Sequence, residues 1–308
     1  MRRSTDRGTR RLSNVLLLAA LLVASGAIVS VVWRSAAPDI LAKFEPVRLA
    51  VVATSPDPED PPNTFGGSQP IESAKPGDPP GYTRVPAPKV EPGARRIGIQ
   101  VGHWQTQNVP PELSRLEIQT GTSWNGIDEV DVSLDIAQRL ANLLKSHGYI
   151  VDIIPTTVPL GYLADAFVAL HLDGDGVGEA EGYKLAHGSR RGVYEQQLLD
   201  DISAEYGAAT GFAIDPNTSS SMRGYYAFNW QRYRSATSPF TPSVILEMGF
   251  LSNDHDREFI LNNPDTVAAA IGNGIERFLA EVPSQDLFSK DLLLPPTRRA
   301  SPSPSPSP

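Results

Sequence analysis

Two histidines and two glutamates stand where an apolar run ends or a helix begins. His103 follows the run RIGIQV, and His171 ends the run AFVALHL. Glu247 interrupts the apolar stretch VILEMGF, where a carboxylate is costly unless a proton, a cation or a metal neutralises it. Glu129 comes just before, or in the first turn of, an amphipathic pattern. Two imidazoles and one carboxylate suffice for a catalytic zinc site, and the second carboxylate could then move protons.

Each of these residues also has a structural explanation when it is taken alone. A histidine at a strand end is more often simply packed or solvated. Glu129 could only complement a helix dipole, a contribution of about 0.5 kcal/mol, and Glu247 could be half of a structural ion pair. Their joint placement at matching ends of predicted elements favours a shared site.

The elements that must position these residues alternate between strands and helices. The patterns predict strands over 96–101, 149–154, 166–172, 182–187 and 244–247, and helices over 131–147, 192–209 and 264–279. This order predicts an α/β fold, a single catalytic domain with a mainly parallel sheet flanked by helices on both faces. Ligands of such sheets bind at the C-terminal ends of the strands, where these side chains are expected.

Composition divides the 308-residue chain into five segments. Residues 1–13 form a basic tail, expected in the cytoplasm, and residues 14–33 an apolar run long enough for a transmembrane anchor or an uncleaved signal. Residues 34–95 combine a juxtamembrane segment with a Pro-rich linker. Residues 96–281 are the predicted catalytic domain, and residues 282–308 a disordered Ser/Pro tail.

Charge and cysteine content exclude some functions. The basic tail carries +4 of a total of −8, so the remainder carries −12, which argues against nucleic acid as a partner. The chain has no cysteine, so a metal site must use histidines and carboxylates. We expect a single-pass cell-membrane protein with an extracytoplasmic domain, or a secreted one if the N-terminal segment is a cleaved signal peptide.

The motifs resemble those of the zinc-dependent N-acetylmuramoyl-L-alanine amidases of the autolysin type. The matching stretches are GIQVGHW, GIDEVDVSL, VALHLDGD and VILEMGFLSN, and the resemblance spans residues 96–281. It implies that His103, Glu129 and His171 bind Zn²⁺ and that Glu247 is the catalytic base. The Asp-Pro and trailing glycines of the family's first motif are missing, and LDGDG replaces the asparagine after the third ligand. These differences lie in loops around the ligands.

The resemblance implies hydrolysis of the amide between N-acetylmuramic acid and L-alanine in peptidoglycan. We expect a monomer, and the sequence identifies no activator protein. Three alternatives stay open: an inactive homologue that binds peptidoglycan or regulates another hydrolase, a zinc-dependent wall peptidase, and a structural wall-spacing protein. Arg223 is a further candidate for binding a substrate carboxylate, because guanidinium groups match carboxylates, but it is not assigned to the catalytic set.

Overall fold

The computed structural model describes residues 75–188 and 193–294. The predicted basic tail (1–13) and membrane anchor (14–33) lie outside these ranges. Among the residues that are described, no helix combines the length and apolar character needed to cross a bilayer.

The described chain contains both strands and helices. The strands are β1 (Thr83–Val85), β2 (Arg96–Val101), β3 (Ser123–Trp124), β4 (Ile127–Asp128), β5 (Ile150–Ile154), β6 (Ala166–Asp173), β7 (Lys184–His187), β8 (Ser243–Phe250) and β9 (Leu292–Leu294). The α-helices are α1 (Glu129–Ser146), α2 (Glu195–Thr210), α3 (Ser220–Arg223), α4 (Asp254–Asn262), α5 (Pro264–Glu281) and α6 (Ser284–Phe288). Short 3-10 helices cover Thr106–Asn108, Pro111–Ile118 and Tyr226–Phe228.

A five-stranded sheet with the order β5-β2-β6-β8-β7 forms the centre of the domain. The first four strands in this order are mutually parallel, and β7 pairs antiparallel at the edge. Seven of the eight residues of the central strand β6 are buried, as expected for a parallel strand that is covered on both faces. The predicted α/β class with a mainly parallel sheet is confirmed.

The two faces of the sheet are covered differently. Helices α1, α2 and α5 pack on one face, which includes Val168 and Leu170 of β6. The other face, with Phe167 and Ala169, packs mostly against 3-10 helices and loops. Because successive side chains of a strand point to opposite faces, His171 shares the second face with Phe167. The candidate site therefore lies on the side of the sheet that has the shorter, more irregular cover.

The predicted elements are present, with small shifts at their ends. Helix α1 begins at Glu129, two residues before its predicted start, and ends before Gly148, whose φ of 92° suits glycine. Helix α4 was not predicted. The side chain of Asn253 caps it by accepting hydrogen bonds from the amides of His255 and Asp256, and this Asn-Asp pattern was the available signal.

The described structure extends beyond both predicted ends of the catalytic domain. Strand β1 lies within the predicted linker and pairs antiparallel with β9, which lies within the predicted tail. Val85 is fully buried, and Leu287 and Phe288 belong to the same hydrophobic core as the sheet. The predicted linker up to residue 95 and the predicted disordered tail from residue 282 are wrong for these segments, because a few apolar side chains among the prolines pack onto the core.

Candidate metal centre

Glu129 lies at the centre of the candidate site. It is the first residue of α1, and 2% of its surface is exposed. The amides of Thr122 and Leu172 donate to Oε2 (2.8 Å) and Oε1 (3.3 Å). Oε1 also lies 2.9 Å from His171 Nδ1 and 3.6 Å from His103 Nε2. Burial alone would raise the pKa of Glu129, but the hydrogen bond and charge of His171 and the charge of His103 outweigh it and lower that pKa.

The hydrogen bonds around His103 determine which of its nitrogens is available to a ligand. His103 Nδ1 lies 2.8 Å from the carbonyl oxygen of Gln119. A carbonyl oxygen only accepts hydrogen bonds, so Nδ1 carries the proton. The lone pair of Nε2 is left facing Glu129.

His171 is oriented in the same way, by a chain of two side chains that ends on a backbone carbonyl. The Nε2 of His171 lies 2.9 Å from the hydroxyl of Tyr225, and that hydroxyl donates to Oε1 of Gln100 at 3.0 Å. The amide nitrogen of Gln100 donates to the Thr156 carbonyl at 3.1 Å, which fixes the orientation of the amide. The Tyr225 hydroxyl therefore accepts from a protonated Nε2, so Nδ1 is the nitrogen that faces Glu129. It donates to Oε1 when the ring is an imidazolium and offers its lone pair to a metal when the ring is neutral.

The three donor groups fit a metal ion. One donor atom from each of His103, Glu129 and His171 lies within 4.8 Å of the others. The separations of 2.9 and 3.6 Å to Glu129 Oε1 lie on either side of the roughly 3.3 Å edge of a tetrahedral site with bonds of about 2.0–2.1 Å. Two imidazoles and a glutamate also form a known ligand set for catalytic zinc. These residues could hold a metal, and zinc matches their chemistry.

Two glycines make room for these ligands. A Cβ at Gly102 would lie 2.2 Å from the ring of His171, and a Cβ at Gly121 would lie 2.8 Å from Glu129 Oε2. Gly121 also has a φ of 85°, which favours glycine. His103 itself has a φ of 59°, an uncommon conformation for a residue with a side chain and one that clusters at functional sites. The local backbone is therefore shaped around the ligands.

Glu247 faces the same site but is held differently. It lies on β8 in register with His171 of β6 and Lys184 of β7. Within 75–188 and 193–294, no group hydrogen-bonds to its carboxylate. Desolvation raises the pKa of Glu247 to about 8, an effect that the neighbouring His171 opposes. No described protein group competes for this carboxyl group, so it could exchange a proton with a bound molecule.

The site opens on two cavities. The larger, of about 610 Å³, and the smaller, of about 410 Å³, are both lined by His103, Gln119, His171 and Glu247. The candidate ligands and Glu247 thus lie between two openings, so a substrate could extend away from the reacting bond in two directions.

The structure brings the four predicted site residues together, although their roles stay predictions. Arg223 does not join them: it is exposed, and its Nη1 donates to the Thr218 carbonyl at 2.6 Å. The sequence interpretation missed Gln100 and Tyr225. Gln100 was detectable, because it is a polar residue in an apolar strand, which is the same signal that singled out Glu247.

The fold and the geometry define a class: an α/β domain with a His–Glu–His group, able to hold a metal, at the C-terminal edge of its sheet. Residues 161–277 match the family model described as N-acetylmuramoyl-L-alanine amidase. This match confirms the resemblance that the motifs indicated. It contains His171 and Glu247, whereas His103 and Glu129 precede it. No curated protein sequence matches the chain significantly.

Several solved amidase structures are similar to this chain. CwlD from Clostridioides difficile, solved in complex with the GerS lipoprotein, has 18% identity and a TM-score of 0.44 over 61% of this chain and 100% of that one. Ami1 from Mycobacterium smegmatis has 17% identity and a TM-score of 0.46 over 61% and 99%. AmiC2 from Nostoc punctiforme has 18% identity and a TM-score of 0.43 over 61% and 98%.

Proposed function

We propose that the protein is a zinc-dependent N-acetylmuramoyl-L-alanine amidase that hydrolyses the bond between N-acetylmuramic acid and L-alanine in peptidoglycan. The observation that carries the proposal is the convergence of three potential ligand atoms, His103 Nε2, Glu129 Oε1 and His171 Nδ1, beside the Glu247 carboxylate, which has no hydrogen-bond partner among the described residues. The family match over 161–277 supports amidase activity on peptidoglycan.

His103, Glu129 and His171 would hold the zinc. When bound there, zinc supplies a Lewis acid that polarises the substrate carbonyl and lowers the pKa of water. The protein's contribution is to keep the three donors aligned. The Gln119 carbonyl fixes the tautomer of His103, the Thr122 amide orients the Glu129 carboxylate, and Tyr225 fixes His171.

Glu247 would move the protons of the reaction. It takes a proton from the attacking water and then gives it to the nitrogen of L-alanine as the amide bond breaks. The raised pKa of its carboxylate suits both steps near neutral pH. Its place on a central parallel strand, in register with His171, holds the carboxylate rigidly beside the ligands.

Product analysis tests this function and separates it from the alternatives. The zinc-loaded protein is incubated with purified peptidoglycan, and the products are identified by mass. Free stem peptides that begin with L-alanine are expected. Shortened peptides still attached to sugar would instead indicate a wall peptidase, and bound but uncut material would indicate an inactive binding homologue.

Matched histidine variants test the site in the same assay. His171→Ala should lose zinc and product formation together. His147→Ala should change neither, because His147 lies at the surface and pairs with Glu276. Retention of zinc by His171→Ala would remove this residue from the metal centre.

We also propose that residues 14–33 anchor a monomer in the cell membrane with its domain outside the cytoplasm. The support is the length of the apolar run and its basic N-terminal flank. Membrane fractionation followed by protease treatment of intact cells tests it. Recovery of the full-length chain from the soluble cytoplasmic fraction would contradict it.

A further inference from the structure

Two exposed arginines line the larger cavity, and neither has an acidic partner among the described residues. Arg115 comes from the 3-10 helix Pro111–Ile118, and Arg232 comes from the loop before β8. Arg232 lies over the ring of Tyr233, 5.2 Å from its centroid, which limits where its guanidinium can point. In the described part of the chain, neither guanidinium makes a hydrogen bond or an ion pair.

Most other arginines that the structure describes are paired with a carboxylate. These are Arg84, Arg95, Arg96, Arg139, Arg257 and Arg277. In a chain of net charge −8, acidic partners are plentiful, yet within residues 75–188 and 193–294 the two cations of this cavity have none. Planar guanidinium groups bind carboxylates in two parallel hydrogen bonds. The unpaired donors therefore indicate an anionic ligand in the larger cavity.

The smaller cavity lacks such cationic side chains. Its lining includes the carboxylates of Glu129, Asp173 and Glu247 and no lysine or arginine. It therefore offers no cationic side chain to an anionic group, whereas a neutral sugar, which carries only hydroxyl and amide groups, needs none. Since both cavities are lined by His103 and Glu247, the two halves of a substrate would leave the reacting amide in these two directions.

We propose that Arg115 and Arg232 bind carboxylates of the substrate's peptide arm, so that the peptide lies in the larger cavity and the sugar lies toward the smaller one. This inference rests on the proposed function, because it takes the reacting bond to be the amide between sugar and peptide. The three consecutive hydroxyl side chains Ser219–Ser221, which line the same cavity, offer hydrogen-bond partners for the peptide backbone.

The test uses two soluble muramyl peptides that differ only in whether the carboxylates of the peptide arm are free or amidated. The full-length protein is compared with the double variant Arg115→Gln/Arg232→Gln. Arg234→Gln is the control, because Arg234 is an exposed arginine of the same loop that does not line the cavity. Melting curves of all three proteins verify that they are folded.

For the wild type we expect a preference for the acidic peptide. In the double variant that preference should fall about 10- to 100-fold, mainly through KM, since hydrogen bonds to charged groups are worth that much. Arg234→Gln should retain the preference. An equal change in kcat/KM for both substrates, or no change for either, would overturn the inference.

A binding measurement separates this inference from the proposed function. The free acidic stem peptide is titrated into the wild type and into the double variant, with heat as the readout. If the wild type cuts neither substrate, the proposed function fails, but weaker binding of this peptide by the double variant still supports the two arginines. Equal binding by both proteins overturns their assignment whatever the activity.

Discussion

The two ends of the central sheet both carry buried polar side chains, yet they use them in opposite ways. At the N-terminal end, Asp165 precedes β6 and accepts hydrogen bonds from Arg95 Nε, the Arg96 amide and the Ser284 hydroxyl. Arg95 also donates to the carbonyls of Leu279 and Val282. Of this group's side-chain atoms, only Arg95 Nη2 has no partner within the described residues.

At the C-terminal end, the polar side chains form a potential metal site instead. The partners of Glu129, His103 and His171 hold the outward-facing atoms and turn one potential ligand atom of each residue toward the others. The carboxylate of Glu247 has no hydrogen-bond partner in the described structure. A cluster that satisfies itself stabilises a fold. A cluster that holds potential ligand atoms close together is prepared to bind a metal.

The largest expected effect, on stability, comes from removing the two segments that pack at the N-terminal end of the sheet, residues 75–95 and 282–294. A fragment of residues 96–281 lacks Arg95, β1 and the buried side chains of Leu287 and Phe288. Full burial of each large apolar side chain is worth about 1.5–3 kcal/mol, and a domain has only about 5–15 kcal/mol in total. This fragment should be unfolded or melt far below a fragment of residues 75–294. Equal melting temperatures would show that the extra segments are dispensable.

Glu247→Gln should give the largest effect on chemistry at the C-terminal end. The amide has nearly the same shape but cannot take a proton, so turnover should fall by about 10²–10⁴. Zinc should stay bound, and the melting temperature should hold or rise, because a desolvated carboxylate has been removed. Turnover and metal content by elemental analysis are measured together. Full activity, or loss of zinc, would contradict the assigned role.

Glu129→Gln and Asp165→Asn make the same chemical change at the two ends. Glu129→Gln should weaken zinc more than about 100-fold, since even outer-shell partners of zinc ligands are worth about 10- to 100-fold. Asp165→Asn should leave zinc affinity unchanged and lower the free energy of unfolding by about 1–3 kcal/mol through lost hydrogen bonds. Chelator competition and urea unfolding measure the two effects. If both variants lost zinc equally, the two ends would not differ in the way described.

The sequence predicted the site better than its surroundings for a physical reason. His171 and Glu247 stand out because polar residues in apolar strands are costly and visible in the pattern, and parallel strands bring their C-terminal ends to one edge. The pairing of β1 with β9 left no such signal, because it joins segments about 200 residues apart and depends on a few apolar residues in Pro-rich stretches. Composition indicated a linker and a tail there, and tertiary packing overrode it.

The support of the ligands was equally hard to predict. Tyr225 lies in an aromatic stretch that suits a hydrophobic core, and nothing local to it indicates His171, which is 54 residues away. Gly102 and Gly121 owe their importance to side chains that approach them from other elements. Periodicity and spacing identify which residues could be ligands, but contacts between distant segments decide which atoms of those residues point inward.

The smallest expected effect tests that support directly. Tyr225→Phe removes the acceptor of the His171 Nε2 proton and leaves the ring in place, so zinc should bind about tenfold more weakly, at the low end of the effect of outer-shell partners. Tyr226→Phe is the matched control, because the Tyr226 hydroxyl bonds Gln100 and the Thr156 carbonyl but not His171. It should lower stability in urea, but zinc affinity should not change. If both variants bind zinc as tightly as the wild type, the carboxylate of Glu129 alone orients His171. The hydrogen bonds of Tyr225 and Gln100 would then contribute nothing to metal binding.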